Sequence, residues 1–546
     1  MKTILSFGFI LFILSCNTPS SQYWQPYDES EELAQNTDHE IPRMPYKLIQ
    51  SKFLDKDAMW SPFEKELRGF DITYEALKPL IIEQNIPTLQ QHIASGTLSY
   101  ERLVKFYLYR IRLLESNPKT TLNAVLALNP NIIKEAKQKD RQTPEDMHPI
   151  YGMPILLKDN INTANMPTTA GAAILENHVP DEDAFVVKQL KDKGALIFGK
   201  VNLSEWAYYF CDGCPVGYSA IGGQTLNPYG RRIFETGGSS SGSAVAVAAN
   251  YAVAALGSET SGSILSPSSQ NAIVGLKPTI GLVSRTGIVP ISSTLDTSGP
   301  MTKSIVDNAI LLDAIAALDA QDAITKRVPR IKSLTDSYVE PSLSGVRLGA
   351  MTNILVADSL YRNGVEDLRA AGAEVIEFNP EKTALTGFSS ILNGDMKRDI
   401  PMYFKNSSTA DFATIDVTTI IEYNKRDSVL YMPYSQERLD GVISDSITEV
   451  GLERTISQLN AAASGFFETP INKYQLDAIL SKNNYYAGHA AIAFYPCLTV
   501  PMGYSVEGEP ANLTFIAPSF SEEKLLMLGA AYENISNHRK SPKGYQ

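Results

Sequence analysis

Apolar positions recur along this chain with two different periods, and the period changes with position. From about Asp71 to Leu114 the spacing is helical: Leu103, Phe106, Tyr107, Arg110 and Ile111 fall on one face. The stretch Thr97-Leu98-Ser99-Tyr100-Glu101 reads as a helix start, with hydroxyls able to cap and an acid in the first turn. Between about 150 and 300, short apolar runs alternate with helical stretches. Pro154-Ile155-Leu156-Leu157 reads as a buried strand, Ala184 to Lys193 as a helix, and Ala195-Leu196-Ile197-Phe198 as the next strand. Ser243 to Asn250 reads as a small-residue helix and Tyr251 to Leu256 as a strand. Further on, Val346 to Met351 and Ala373 to Phe378 read as strands flanking a helix near 359–371. Such alternation argues for an α/β sheet covered on both faces. Residues 320–345 and 380–470 are polar with scattered aromatics, and the expectation there is helices that shape a substrate funnel.

The N-terminus follows neither period. Lys2 precedes an apolar run from Ile4 to Leu14, about eleven residues, where a bilayer span takes roughly twenty. It reads as a secretory signal ending in Ile13-Leu14-Ser15-Cys16, which resembles a bacterial lipobox. The expectation is a signal peptide at 1–16, lipidation at Cys16 and a flexible tether over 17–45. An N-terminal helical extension over 46–81 then leads into a main domain over 82–540. The protein would be exported and lipid-anchored to a bacterial membrane, facing the periplasm.

Composition narrows the partners. Of 546 residues, 44% are hydrophobic and 20% charged, an ordinary globular balance. The net charge of −12 repels phosphate backbones, so no nucleic acid is expected to bind. The four cysteines are too few for a disulfide framework. Cys211 and Cys214 form a lone C-x-x-C, open to a structural, a redox-labile or a metal-binding reading. Zinc would need a second ligand pair, and none is visible, so no metal site is expected.

Two segments carry unusual chemistry: Thr236-Gly237-Gly238-Ser239-Ser240-Ser241-Gly242-Ser243 and Gly257-Ser258-Glu259-Thr260-Ser261-Gly262-Ser263-Ile264. Small residues permit tight turns in which consecutive N–H groups converge on an anion, the geometry of an oxyanion hole. Both are flanked by apolar elements, unlike a Gly/Ser linker. A third feature is Lys158, directly after the strand ending Leu156-Leu157. A free lysine has a pKa of about 10.4, but burial lowers it, and lysines tuned to roughly 7–8 act as bases.

Together these segments resemble the amidase signature family. Gly237 to Ser243 resembles its glycine-serine string, Thr260-Ser261-Gly262-Ser263-Ile264 its nucleophile loop, and Pro154 to Asn160 its lysine strand. Asn202-Leu203-Ser204-Glu205-Trp206, Gly275-Leu276-Lys277-Pro278-Thr279 and Tyr495 to Pro501 agree as well, so the likeness runs from about residue 82 to 536. It departs at Ser241 and Ser261, where the family usually has Gly, or Gly or Asp.

The resemblance implies a single large α/β domain with a mixed, mostly parallel twisted sheet covered by helices on both faces. It implies a Ser-Ser-Lys triad of nucleophile Ser263, relay Ser239 and base Lys158. Backbone N–H groups of Thr260, Ser261, Gly262 and Ser263 would hold the oxyanion, and the Gly238-Ser239 peptide bond would be cis. The activity implied is hydrolysis of carboxylic or peptide C-terminal amides through an acyl-enzyme, with no cofactor. The substrate would be a small molecule or short peptide amide. The segments at 154–160, 166–171 and 257–260 look closest to the peptide amidase branch, which removes ammonia from C-terminal peptide amides.

Four readings compete. Gly238-Ser239-Ser240-Ser241-Gly242 matches G-x-S-x-G, with Ser240 as nucleophile and His489 or His538 as base. Ser116…Lys119 and Ser521…Lys524 match S-x-x-K spacing, which chance often produces. The amide-transferring subunit of Glu-tRNA amidotransferase shares the family motifs, but it works in the cytoplasm, against the export signal. A catalytically silent amide-binding lipoprotein would not need the intact triad.

Overall fold

The computed structural model describes residues 26–142, 144–327, 334, 342–407 and 409–546. The signal segment and Cys16 lie outside the described residues, as does the start of the tether.

Thirteen strands lie among the described residues. They are β1 Val125–Leu128, β2 Pro154–Lys158, β3 Leu196–Val201, β4 Tyr218–Ser219, β5 Gly223–Gln224, β6 Ala254–Glu259 and β7 Val274–Lys277. Then come β8 Thr297–Thr302, β9 Arg347–Met351, β10 Glu374–Phe378, β11 Ala478–Lys482, β12 Cys497–Tyr504 and β13 Pro510–Ile516. Eleven form one sheet in the order β1-β3-β2-β6-β8-β7-β12-β13-β11-β9-β10, and β4 pairs with β5 alone. Every residue of β2, β3, β6 and β7 is buried, so both faces of the sheet are covered there.

The sheet is mixed. Its parallel pairings form two blocks, β3-β2-β6 and β11-β9-β10, each with helices between its strands. The strands between the blocks pair antiparallel, as do β1 with β3 and β6 with β8. For one pair, connection length dictates the direction. β12 and β13 are joined by only Ser505 to Glu509, a hairpin, whereas a parallel crossover needs a dozen residues or more.

The expected helix near 97 starts at Tyr100 and runs to Glu115, with Ser99 Oγ accepting from the Arg102 N–H at 3.2 Å. The small-residue helix spans Ser241–Ala248 and is buried throughout. A Cβ at Gly242 would sit 2.5 Å from both the N and O of Asn202, so only glycine lets this helix approach the end of β3. The stretch 380–470 is helical, with Phe388–Ser407, Val417–Asn424, Glu437–Ser444 and Glu449–Tyr474.

Residues 26–45, which the sequence reads as tether, instead pack on the body. Ser30–Ala34 is a helix, and the Glu29 carboxylate accepts from the Gln50 N–H at 2.8 Å. Arg43 pairs in a fork with the buried Glu235, one arm at 2.7 Å. Met44 is 1% exposed. Glu29, Glu32 and Arg43 find partners in the body, whereas Asp38, Glu40 and Pro42 stay exposed. Among the described residues no helix is long and apolar enough to cross a membrane.

Candidate active site

β2 carries Lys158 at its C-terminal end, between β3 and β6. The side chain is fully buried. Its Nζ lies 2.7 Å from Ser239 Oγ, 2.9 Å from Ser258 Oγ and 3.1 Å from Ser258 O. An ammonium has three protons and here finds three acceptors. A neutral amine has two, which the Ser258 oxygens accept, leaving its lone pair to take the Ser239 hydroxyl proton. Burial pulls the lysine pKa from 10.5 down to about 7, against the opposing pull of the Asp296 and Glu259 carboxylates. Burial thus brings the uncharged amine within reach of neutral pH.

The serine string enters from the other side. The Gly238-Ser239 peptide bond is cis. The Ser239 carbonyl accepts from the Ser204 N–H at 3.0 Å, and the Ser240 N–H donates to the Ser263 carbonyl at 3.1 Å. That last bond ties the string to the nucleophile loop. Ser263 is 8% exposed, and its hydroxyl has no hydrogen-bond partner among the described residues.

The loop from Thr260 to Ser263 hangs on Glu259, the last residue of β6. One carboxylate oxygen accepts from the Gly262 N–H at 2.6 Å. The other accepts from Ile264 and Leu265 at 2.7 and 3.1 Å. This corrects one expectation: the Gly262 N–H is engaged by Glu259 and is not free for an oxyanion. Thr260, Ser261 and Ser263 have backbone N–H groups with no acceptor among the described residues. Gly262 has φ +83°, which a side chain rarely adopts.

Several neighbours of the triad carry little signal in the sequence. Ser258 supplies two of the lysine's contacts, and Asn160 Nδ2 donates to Ser258 Oγ at 2.9 Å. Thr260 Oγ1 donates to Asp296 at 2.5 Å. Ser258 and Glu259 sit inside the segment already singled out, where small-residue composition draws attention to the loop rather than to the strand before it. Asp296 has one signal, an acid at the foot of a strand after Ser292-Ser293-Thr294-Leu295. The antiparallel register that sets Glu259 opposite Thr297 brings it to the loop.

Cys211 and Cys214 are joined as a disulfide, with Cα atoms 5.8 Å apart. The loop that carries them abuts the serine string. A Cβ at Gly238 would meet Val216 Cγ1 at 2.5 Å, and the Gly217 N–H donates to Ser204 Oγ at 2.8 Å.

The alternative nucleophile Ser240 is engaged structurally. Its Oγ donates to Ser258 O at 3.0 Å and accepts from the Ser258 N–H at 3.2 Å. His489 bonds the Thr383 carbonyl at 2.9 Å and lies against Phe466, while His538 pairs with Asp367. Neither histidine serves Ser240. Of the S-x-x-K pairs, Lys524 is bound to Asp477.

The family model described as Amidase matches residues 102–393. A probable amidase of Arabidopsis thaliana is 34% identical over 486 residues, covering 85% of this chain and 92% of its own. The chain belongs to the amidase family, the enzymes that cleave carbon–nitrogen amide bonds. The crystal structure of an amidase family protein from Bacillus anthracis superposes with a TM-score of 0.86 at 36% identity, covering 91% of this chain and 99% of its own. The native peptide amidase from Stenotrophomonas maltophilia gives 0.79 at 36% identity, covering 84% and 98%.

Proposed function

We propose that this amidase hydrolyses primary amides of carboxylic acids, C-terminal peptide amides among them, through Lys158, Ser239 and Ser263. The observation that carries the reading is the buried amine of Lys158, 2.7 Å from Ser239 Oγ. Ser263 Oγ bonds to the amide carbon as its proton passes to Ser239, whose own proton passes to Lys158. The oxygen gains negative charge beside the N–H groups of Thr260, Ser261 and Ser263. Lys158 returns a proton by the same route to the leaving nitrogen. The carbon–nitrogen bond breaks, and ammonia departs. Water then attacks the acyl ester, giving its proton to the relay, and the carboxylic acid leaves with Ser263 restored.

The peptide preference is supported by the likeness to the Stenotrophomonas enzyme over 84% of this chain. The test is ammonia release from a short C-terminally amidated peptide, with Ser263→Ala as blank. Release by the wild type alone is expected. Release from other primary amides but from no amidated peptide would overturn the peptide assignment, and equal release by Ser263→Ala would overturn the mechanism.

Lipidation of Cys16, with anchoring on the periplasmic side of a bacterial membrane, is part of the same proposal. It rests on the apolar run and its Leu14-Ser15-Cys16 ending. Cys16→Ala should move the protein from the membrane fraction to the soluble fraction. An unchanged distribution would refute it.

A further inference from the structure

We propose that Asp296 is a positioning residue of the catalytic centre: it fastens Thr260 at the head of the nucleophile loop and places a negative charge close to Lys158. The inference rests on the Ser-Ser-Lys reading above and assigns a role that the triad alone does not contain.

The carboxylate divides its work between two segments. One oxygen accepts the Thr260 hydroxyl at 2.5 Å. The other accepts the backbone N–H groups of Ile291 and Ser292 at 2.8 and 2.9 Å. Asp296 therefore staples the turn at 291–296 to the first residue of the loop that ends in Ser263. Thr260 is also one of the three residues whose N–H remains free of an acceptor among the described residues. With its side chain held, that N–H has a fixed direction, as a preorganised oxyanion donor requires.

The same carboxylate borders a narrow gap shared with Asn160, Ser258 and Thr260, directly behind the lysine's contacts. It also lines an outer cleft of about 370 Å³ with Arg285, Ile288 and Met402, through which it meets solvent. The charged groups acting on Lys158 are Asp296 and Glu259. Besides Lys158 itself, Arg285 acts on Asp296, and its guanidinium is already paired with Asp322 at 2.6 Å. Glu259 is committed to three loop N–H groups.

The electrostatics agree with the arrangement. Burial lifts Asp296 to about 6, against the hydrogen bonds from Thr260, Ser292 and Ile291 that lower it. Lys158 stands at about 7. Burial thus moves both groups toward neutral pH, and the carboxylate acts on the lysine as a negative charge. A nearby negative charge favours the ammonium, so removing it lets the amine persist to lower pH.

Two substitutions separate the roles. Asp296→Asn keeps the shape and offers hydrogen bonds to both segments, but removes the charge. Thr260→Val keeps the charge and removes the staple. The measurement is the rate of covalent labelling of Ser263 by a fluorophosphonate as a function of pH, which needs no knowledge of the substrate. In the wild type the rate should rise through an acid limb near the lysine's value of about 7. Asp296→Asn should shift that limb to lower pH by roughly half a unit or more. Thr260→Val should leave the limb in place and lower the plateau by about tenfold.

An unmoved limb in Asp296→Asn, or an unchanged plateau in Thr260→Val, would overturn this role while leaving the triad standing. A wild type that is not labelled, or is labelled equally after Ser263→Ala, would overturn the triad and this role with it. If Asp296→Asn does not fold, the Thr260→Val plateau still decides the staple.

Discussion

A lysine at the end of a buried strand does chemistry only if it can shed its proton near neutral pH. Lys158 meets that condition through burial, with acceptors enough for either protonation state. The sign of the pH dependence follows. The working form is the unprotonated amine, so kcat/KM for amide hydrolysis should fall about tenfold per pH unit below 7 and level off above it. A rate profile flat between pH 5 and 7 would contradict this. The serine-glycine composition draws attention to the segments that hold Ser239 and Ser263, and the resemblance to the amidase signature family joins them to Lys158, which lies in an ordinary apolar strand. Asp296 is not legible in the sequence, because its role exists only once β6 and β8 are paired. The engagement of Gly262 is equally hidden. The family resemblance implies four N–H donors in the loop, but the Glu259 side chain folds back and takes one of them.

At the level of elements, the apolar pattern locates strands and helices well and misplaces one boundary that matters. It reads a strand over Tyr251 to Leu256, whereas β6 spans Ala254–Glu259. Gly257 and Ser258 are poor strand formers by propensity. Here they pair with Gly299 and Ser298, and tertiary pairing outweighs propensity. The shift turns Glu259 from a loop residue into the fixed end of a strand, and so into the anchor of the nucleophile loop. Glu259→Gln retains the length but replaces one acceptor oxygen with a donor that faces backbone N–H groups. It should lower kcat by roughly a hundredfold with KM little changed, because a small displacement of the loop misaligns nucleophile and oxyanion donors. Steady-state kinetics on any hydrolysed amide would check it. A variant with unchanged kcat would show that the loop holds its shape without the carboxylate.

At the level of the whole molecule, the mixed sheet and its helical cover follow from family resemblance more than from periodicity. The helices at 388–474 are only faintly written in the pattern. Their apolar faces are narrow, as in Glu449–Tyr474, where few of 26 residues are buried, so the signal is diluted by exposed positions. The N-terminal segment misleads for the opposite reason. It looks solvated, yet its polar groups meet buried partners such as Glu235 and Gln50. Arg43→Ala should therefore destabilise the fold, by about 1–2 kcal/mol, since Glu235 is left buried while the guanidinium was partly in solvent. Urea unfolding monitored by tryptophan fluorescence would measure it. A loss near zero would mean that 26–45 rests on the surface without contributing to it.

An uncharged amine serving a chain of two hydroxyls is the centre of the proposed chemistry, and covalent mapping tests it most directly. Wild type and Lys158→Arg would be treated with a fluorophosphonate at pH 8, and the modified peptide identified by mass spectrometry. Arginine keeps the positive charge and hydrogen-bonding capacity but cannot act as a base. The expected result is an adduct on Ser263 in the wild type, formed at least about a thousandfold more slowly in Lys158→Arg. An adduct on Ser240 or another serine, or an equal rate in the arginine variant, would contradict it.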